Sequence, residues 1–189
     1  MKHNLNPQMR SRMVRLIRLL LPAVLVLCGI LHPQDDHLPV YSREYLIGAA
    51  RELMAEARYC ALITLDESGH PQAREMYPFL PDTSMIVWLG TTINSRKVDE
   101  IRKDPRVTLY YQVEEAKGYV TIRGRAEIID DPEEKAHHFM PGWIEFYPDM
   151  TAFLPIKVTP EKLEIVSYPH QITGNEITWQ APAVEFDQK

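Results

Sequence analysis

Residues Met85–Arg106 read MIVWLGTTINSRKVDEIRKDPR. Met85–Gly90 is an unbroken apolar run, the pattern of a strand buried on both faces. Arg96–Lys103 sets Val98 and Ile101 at helical spacing and stops at Asp104-Pro105, because the residue before a proline is pushed out of the helical region. Between the two lie Thr91-Thr92-Ile93-Asn94-Ser95-Arg96-Lys97. The start of a helix presents unpaired N–H groups and partial positive charge, so it attracts anions and disfavours neighbouring cations. Arg96 and Lys97 in a first turn therefore make sense where an outside anion, such as a phosphate, joins them. The competing reading is a surface helix capped by Ser95 or Asn94, its cations solvated and partly balanced by Asp99 and Glu100.

On the N-terminal side, Ser42 reads as the cap of a helix over Arg43–Ala57, with Leu46, Ala50, Leu53, Met54 and Ala57 along one face. Tyr59–Leu65 and Gln72–Phe79 flank the turn Asp66-Glu67-Ser68-Gly69-His70, a hairpin signal. On the C-terminal side, Val107–Val113 and Tyr119–Ile129 read as strands around a turn near Lys117-Gly118. Asp131–Phe139 reads as helical, and Met140–Met150 as an aromatic, proline-bearing loop or short helix. Ala152–Val158 and Leu163–Tyr168 read as a last hairpin. Short strands outnumber helices, so the expected fold class is mainly β (α+β), a closed antiparallel barrel with a few short flanking helices. Pro169–Lys189 has no periodicity and reads as an extended tail.

The chain has 189 residues, 45% of them apolar, enough for one domain with one core. Its net charge of −5 provides no basic face for nucleic acid. Positive charge gathers instead at the N-terminus, where Lys2, Arg10, Arg12, Arg15 and Arg18 precede the apolar run Leu19–Leu31, and Asp35 and Asp36 follow it. Residues 1–34 thus read as a signal peptide or N-terminal membrane anchor, 35–41 as a linker, 42–168 as the barrel and 169–189 as the tail. This charge asymmetry predicts export to the periplasm or attachment to the cell envelope. After that segment Cys60 is the single cysteine, so no intrachain disulfide forms in the domain. His137-His138 has no ligand partner at metal-site spacing, and no metal is expected. No glycine-rich phosphate loop, nucleophile elbow or paired-carboxylate pattern appears, and no catalytic acid or base stands out.

With these elements placed, Met85–Arg106 and Tyr119–Pro132 (YVTIRGRAEIIDDP) resemble the pyridoxamine 5'-phosphate oxidase-like, FMN-binding split-barrel family, and within it the general-stress-protein branch. The likeness spans roughly Arg51 to Tyr168 and rests on the motifs Thr-x-x-x-Ser-Arg-Lys and Gly-Arg-Ala-Glu together. It implies an antiparallel split barrel, FMN as cofactor, and a homodimer with flavin at the subunit interface. By position, Arg74 matches the family's strand-two arginine on the flavin phosphate, and Met76 and Tyr77 match the residues that run along the isoalloxazine. Thr91 matches a strand-three threonine near the flavin, and Ser95, Arg96 and Lys97 match the phosphate clamp. Trp143, Phe146 and Tyr147 lie where this branch carries an aromatic loop, and read either as a cover for the ring or as core and dimer packing. A dianionic phosphate suits Arg as a fork, Lys as a point charge and a hydroxyl as donor.

The chain also departs from the vitamin B6 oxidases. Pro78-Phe79 stands where they carry a lysine, Tyr119 where they carry a glutamine, and no arginine follows Arg125. Pyridoxamine 5'-phosphate oxidase activity is therefore not expected. The resemblance leaves three readings open: a flavin-dependent oxidoreductase of unknown small-molecule substrate, a non-enzymatic flavin carrier or sensor, and a haem-binding split barrel using His137, His138 or His170.

Overall fold

A computed structural model describes residues 40–148 and 150–187. The expected signal or anchor at 1–34, and the linker up to residue 39, lie outside the described residues. Among the described residues no helix is long and apolar enough to cross a membrane.

Helix α1 spans Arg43–Ala57. The Ser42 hydroxyl accepts the Tyr45 N–H at 3.1 Å, satisfying one of the orphan donors of the first turn. Its inner face buries Leu46, Ala50, Leu53 and Met54, and it ends at Arg58 in the left-handed region. Strands β1 (Cys60–Leu65) and β2 (Pro71–Met76) form the expected hairpin, Cys60 opposite Met76. Asp66 closes its turn by accepting the N–H groups of Ser68 and His70 on one carboxylate oxygen. Then follow β3 (Val87–Thr92), α2 (Arg96–Lys103), β4 (Arg106–Val113) and β5 (Gly118–Ile128). Helix α3 is Pro132–His137, capped by the Asp131 carboxylate, and a short 3-10 turn occupies Pro141–Glu145. Strand β6 runs Phe153–Ser167 and β7 Ala183–Glu185.

Every pairing is antiparallel, in the order β2-β1-β4-β5-β6-β3, with β7 also on β6. The ends meet where Pro78, just past β2, bridges to Leu89 of β3, and the Phe79 N–H donates to the Trp88 carbonyl at 2.9 Å. This narrow contact closes the barrel. Inward residues alternate along the strands, as a one-faced core requires, and Leu62, Leu109, Ile122, Ile156 and Leu163 fill the interior.

Two sequence expectations change. The hairpin expected from Ala152 to Tyr168 is one continuous strand, β6. Thr159-Pro160, which lies between the two expected strands, sits at a bulge where Glu161 has no partner across β5. The proline falls between the two neighbours on the opposite edge, β3 up to Val158 and β7 from Lys162, where its missing N–H is tolerated. Gly124 faces the bulge so closely that a Cβ there would lie 2.2 Å from the Thr159 carbonyl oxygen. The segment read as an extended tail returns to the barrel: Ile172 bridges Ser167, and β7 pairs with Lys162–Glu164.

Candidate functional site

Strand β3 turns Thr91 inward, 2% exposed, and Ser95 closes the following turn by donating its N–H to the Thr92 carbonyl at 3.0 Å. Helix α2 begins there because Val98 and Ile101 bury against the barrel end, which brings Lys97 back over β3. The Lys97 ammonium donates to the Ser95 hydroxyl at 2.7 Å and to the Thr91 hydroxyl at 3.2 Å. Ser95 holds the N-cap position yet makes no side-chain cap bond. Its oxygen serves the lysine, and the first-turn N–H groups receive no side-chain cap.

Lys97 pairs with no carboxylate among the described residues. Burial, then the nearby Arg74 and Arg96, hold its pKa below the ordinary lysine range, and Glu100 offsets this only in part. Glu100 is committed elsewhere. The Arg74 guanidinium, delivered from β2, donates to Glu100 at 2.8 Å and to the Thr64 hydroxyl at 2.5 Å, and Thr64 donates to the same carboxylate oxygen at 2.5 Å. The pair is largely buried, 18% and 9% exposed at the side chains. The Glu100 carboxylate is therefore drawn away from Lys97. The result is a cluster with excess positive charge at a helix start without a side-chain cap, the chemistry of an anion site.

The structure thus brings Arg74, Thr91, Ser95 and Lys97 together, with Arg96 exposed on the same first turn. Met76 and Tyr77 lie apart from that cluster, in a cleft of about 680 Å³ also lined by Glu75, Gly90 and the aromatic loop. Gly90 precedes Thr91 on β3, so one strand joins cleft and cluster. In the loop, Trp143 is core. Its ring fills the space over Gly90, where a Cβ would lie 2.5 Å from it, and it meets Phe79 and Tyr147 edge-on. Phe146 is 74% exposed at the cleft mouth. Sequence reasoning missed Thr64 and Glu100. Thr64 sits in an ordinary strand alternation, and Glu100 looked like a solvated helix acid.

Two of the three candidate histidines are engaged. His170 engages Ser167 through Nδ1 at 2.7 Å and Glu52 through Nε2 at 2.9 Å. His138 stacks on Trp88 at 3.5 Å between ring centres, with Nδ1 against Glu134. Among the described residues no cluster of His, Cys, Asp or Glu could hold a metal ion.

Comparison places this architecture. The family described as Pyridoxamine 5'-phosphate oxidase matches residues 46–167, and the chain belongs to that family. Among solved structures it is similar to a protein related to general stress protein 26 from Clostridium acetobutylicum, at 21% identity and a TM-score of 0.63, covering 78% of this chain and 98% of that one. General stress protein 26 from Bacillus anthracis matches at 19% identity and a TM-score of 0.57, covering 65% and 94%. A heme binding protein from Mycobacterium smegmatis matches at 19% identity and a TM-score of 0.54, covering 68% and 55%. No curated protein matches. At these identities the likeness establishes the fold, and the fold class expected from the sequence is the one found.

Proposed function

We propose that this chain is an FMN-binding split-barrel protein that works as a homodimer. Its first 34 residues direct it to the periplasm or hold it at the cell envelope. The observation that carries the cofactor reading is Lys97, a half-buried cation held by two hydroxyls and no acid, at a helix start without a side-chain cap. A phosphate dianion supplies the missing negative charge. Lys97 would meet it as a point charge, the Ser95 hydroxyl as a donor, and the exposed Arg96 as a fork. Arg74, assigned to the phosphate by resemblance, donates two of its five N–H groups to Thr64 and Glu100 and so also keeps that carboxylate off Lys97.

Bound FMN would supply the redox chemistry through its ring, and the cleft along Met76, Tyr77 and Gly90 is open to receive it. An oxidoreductase of unknown small-molecule substrate and a flavin carrier or sensor share this pocket; reduction of bound FMN by NADH or NADPH separates them. Of the three histidines offered for haem, His170 is a poor ligand, because both of its ring nitrogens are engaged. Pyridoxamine 5'-phosphate is not the proposed substrate, since the second set of phosphate-holding arginines is missing from the sequence after Arg125.

The test compares FMN with riboflavin, which has the ring but no phosphate. A charge-assisted hydrogen bond is worth about 1.5–3 kcal/mol, so Lys97→Met should weaken FMN by roughly 10- to 150-fold and leave riboflavin nearly unchanged. Equal losses for both ligands, or no flavin binding by the parent, would refute the clamp. Sedimentation of the flavin-loaded protein as a monomer would refute the dimer.

A further inference from the structure

The exposed carbon surface of the chain includes two groups. Tyr59, Tyr77 and Phe146 border the proposed ring cleft. A second group has no part in it: Val40, 99% exposed, and Tyr45 at the start of α1, with Tyr168, Ile177 and Trp179 of the C-terminal segment. Hydrogen bonds stitch these two stretches of chain together. The Tyr41 hydroxyl donates to the Gln171 carbonyl at 2.9 Å and accepts the Thr173 N–H at 3.4 Å, and the Tyr45 hydroxyl donates to the His170 carbonyl at 2.9 Å. The described residues therefore begin beside the segment that leads into the turn at 174–180.

That turn fixes its backbone and leaves its apolar side chains bare. The Asn175 side-chain oxygen accepts the N–H groups of Ile177 and Thr178 at 2.9 and 2.8 Å, as a residue that closes a turn on itself does. The Asn175 N–H donates to the Gln180 carbonyl, and the Trp179 N–H to the Asn175 carbonyl, both at 2.9 Å. Gly174 lets the two arms close, since a Cβ there would lie 3.0 Å from the carbonyl oxygens of Trp179 and Gln180. Trp179 stands in the left-handed region at φ 60°, an outlier for a bulky residue, and is 81% exposed. The turn thus keeps a strained backbone in order while its indole stays in water. Tryptophan and tyrosine are at home where carbon surface meets a wet edge, which is the headgroup layer of a membrane.

We propose that the 174–180 turn docks on a lipid bilayer, setting the side chains of Trp179 and Ile177 into the headgroup layer. What commits the turn to a membrane is the chain that precedes the described residues. The apolar run Leu19–Leu31 ends ten residues before Tyr41, and ten extended residues span at most about 36 Å. A surface tethered that near a bilayer meets it at high effective concentration, so a shallow contact through two side chains suffices. The inference rests on the reading that residues 1–34 stay with the protein and hold it at the membrane. The exposed charges nearby in sequence are mixed, Glu44 and Glu176 against Arg43. Carbon surface rather than a basic patch therefore carries the contact, and a zwitterionic lipid is the fitting partner.

The test places the full chain in phosphatidylcholine vesicles, half of the lipid brominated near the top of the acyl chains, where bromine quenches indoles at that depth. The tryptophans of the chain are Trp88, Trp143 and Trp179, so residues 1–34 contribute no signal. Against unbrominated vesicles, the parent should lose a distinct fraction of its emission. Trp179→Asn installs a residue that accepts the left-handed backbone, and should melt as the parent does. Its remaining emission should be untouched by bromine. Ile177→Ser should reduce the quenching seen in the parent, because it thins the inserted carbon surface. Flotation of the vesicles reports the anchor separately. A chain that floats while bromine spares Trp179 overturns the docking and leaves the anchor reading standing; blue-shifted Trp179 emission in that case would mean that a second copy covers the turn. Equal quenching of the parent and Trp179→Asn would put Trp88 or Trp143 at the membrane and overturn the docking as well. A chain that does not float removes the anchor reading and this proposal with it.

Discussion

Lys97 is costly to the folded chain and useful only with a ligand. Burial and two neighbouring arginines oppose its charge, a penalty the unfolded chain does not carry. In the pH range between its lowered folded pKa and the ordinary lysine value, the unfolded chain binds more protons, so stability rises with pH across that window. Lys97→Met should therefore melt higher than the parent at neutral pH, with an advantage that shrinks as pH rises through the window. Thermal melts of the flavin-free protein at several pH values check this; a variant that melts lower at neutral pH would contradict it. The Arg74–Glu100 pair behaves in the opposite way. Removing one partner of a buried pair costs about 3–5 kcal/mol, whereas replacing both with apolar residues is often neutral. Arg74→Met should destabilise by that amount, and adding Glu100→Leu should recover most of it in a denaturant series. Equal instability of the double variant would mean the pair is not the reason Arg74 matters. Of this cluster, helix-start logic made Ser95, Arg96 and Lys97 legible, and Arg74 and Thr91 came from the family resemblance alone. The sequence could not show that Arg74 is held by Thr64 and Glu100, because that contact depends on how α2 seats on the hairpin.

At the scale of elements, alternation identified the strands well wherever a strand has one wet face, as in β1, whose burial alternates residue by residue. It failed on β6, where Thr159-Pro160 carries the signature of a turn and only the split partnership with β3 and β7 explains a proline inside a strand. It failed again after Tyr168, since β7 has three residues, too few for a period to register. Yet that segment is tied down heavily. Ile172 and Val184 are buried, Tyr41 and Tyr45 of the α1 region donate to the Gln171 and His170 carbonyls, and His170 bridges Ser167 to Glu52 of α1. Ile172→Ala should cost about 2–5 kcal/mol, the usual range for emptying a fully buried site, as read from the shift in denaturant midpoint. A change below 1 kcal/mol would mean that the C-terminal segment packs only loosely in solution.

For the molecule as a whole, the informative contrast is between the seams of the barrel. Strands β5 and β6 pair along eleven positions, from Gly118–Ser167 to Ile128–Ile156, whereas β2 and β3 meet only through Pro78–Leu89 and the Phe79–Trp88 hydrogen bond. No sequence pattern announces this, because closure depends on twist and strand tilt summed around the sheet rather than on any one segment. Local opening follows the seam with fewest hydrogen bonds and least packing. The narrow seam is also where Tyr77 and Gly90 border the proposed ring cleft, so opening it changes the cleft directly. Amide hydrogen exchange read by mass spectrometry should show the 77–90 segment exchanging well before 118–128 in the flavin-free protein. A ligand seated in the cleft bridges the two lips of the seam and stabilises the closed form by mass action. FMN should then slow exchange at 77–90 far more than at 118–128, and riboflavin should do so less in proportion to its weaker binding. Uniform exchange across both segments would mean that the barrel opens as one unit. Protection by FMN confined to α2 would place the phosphate without the ring.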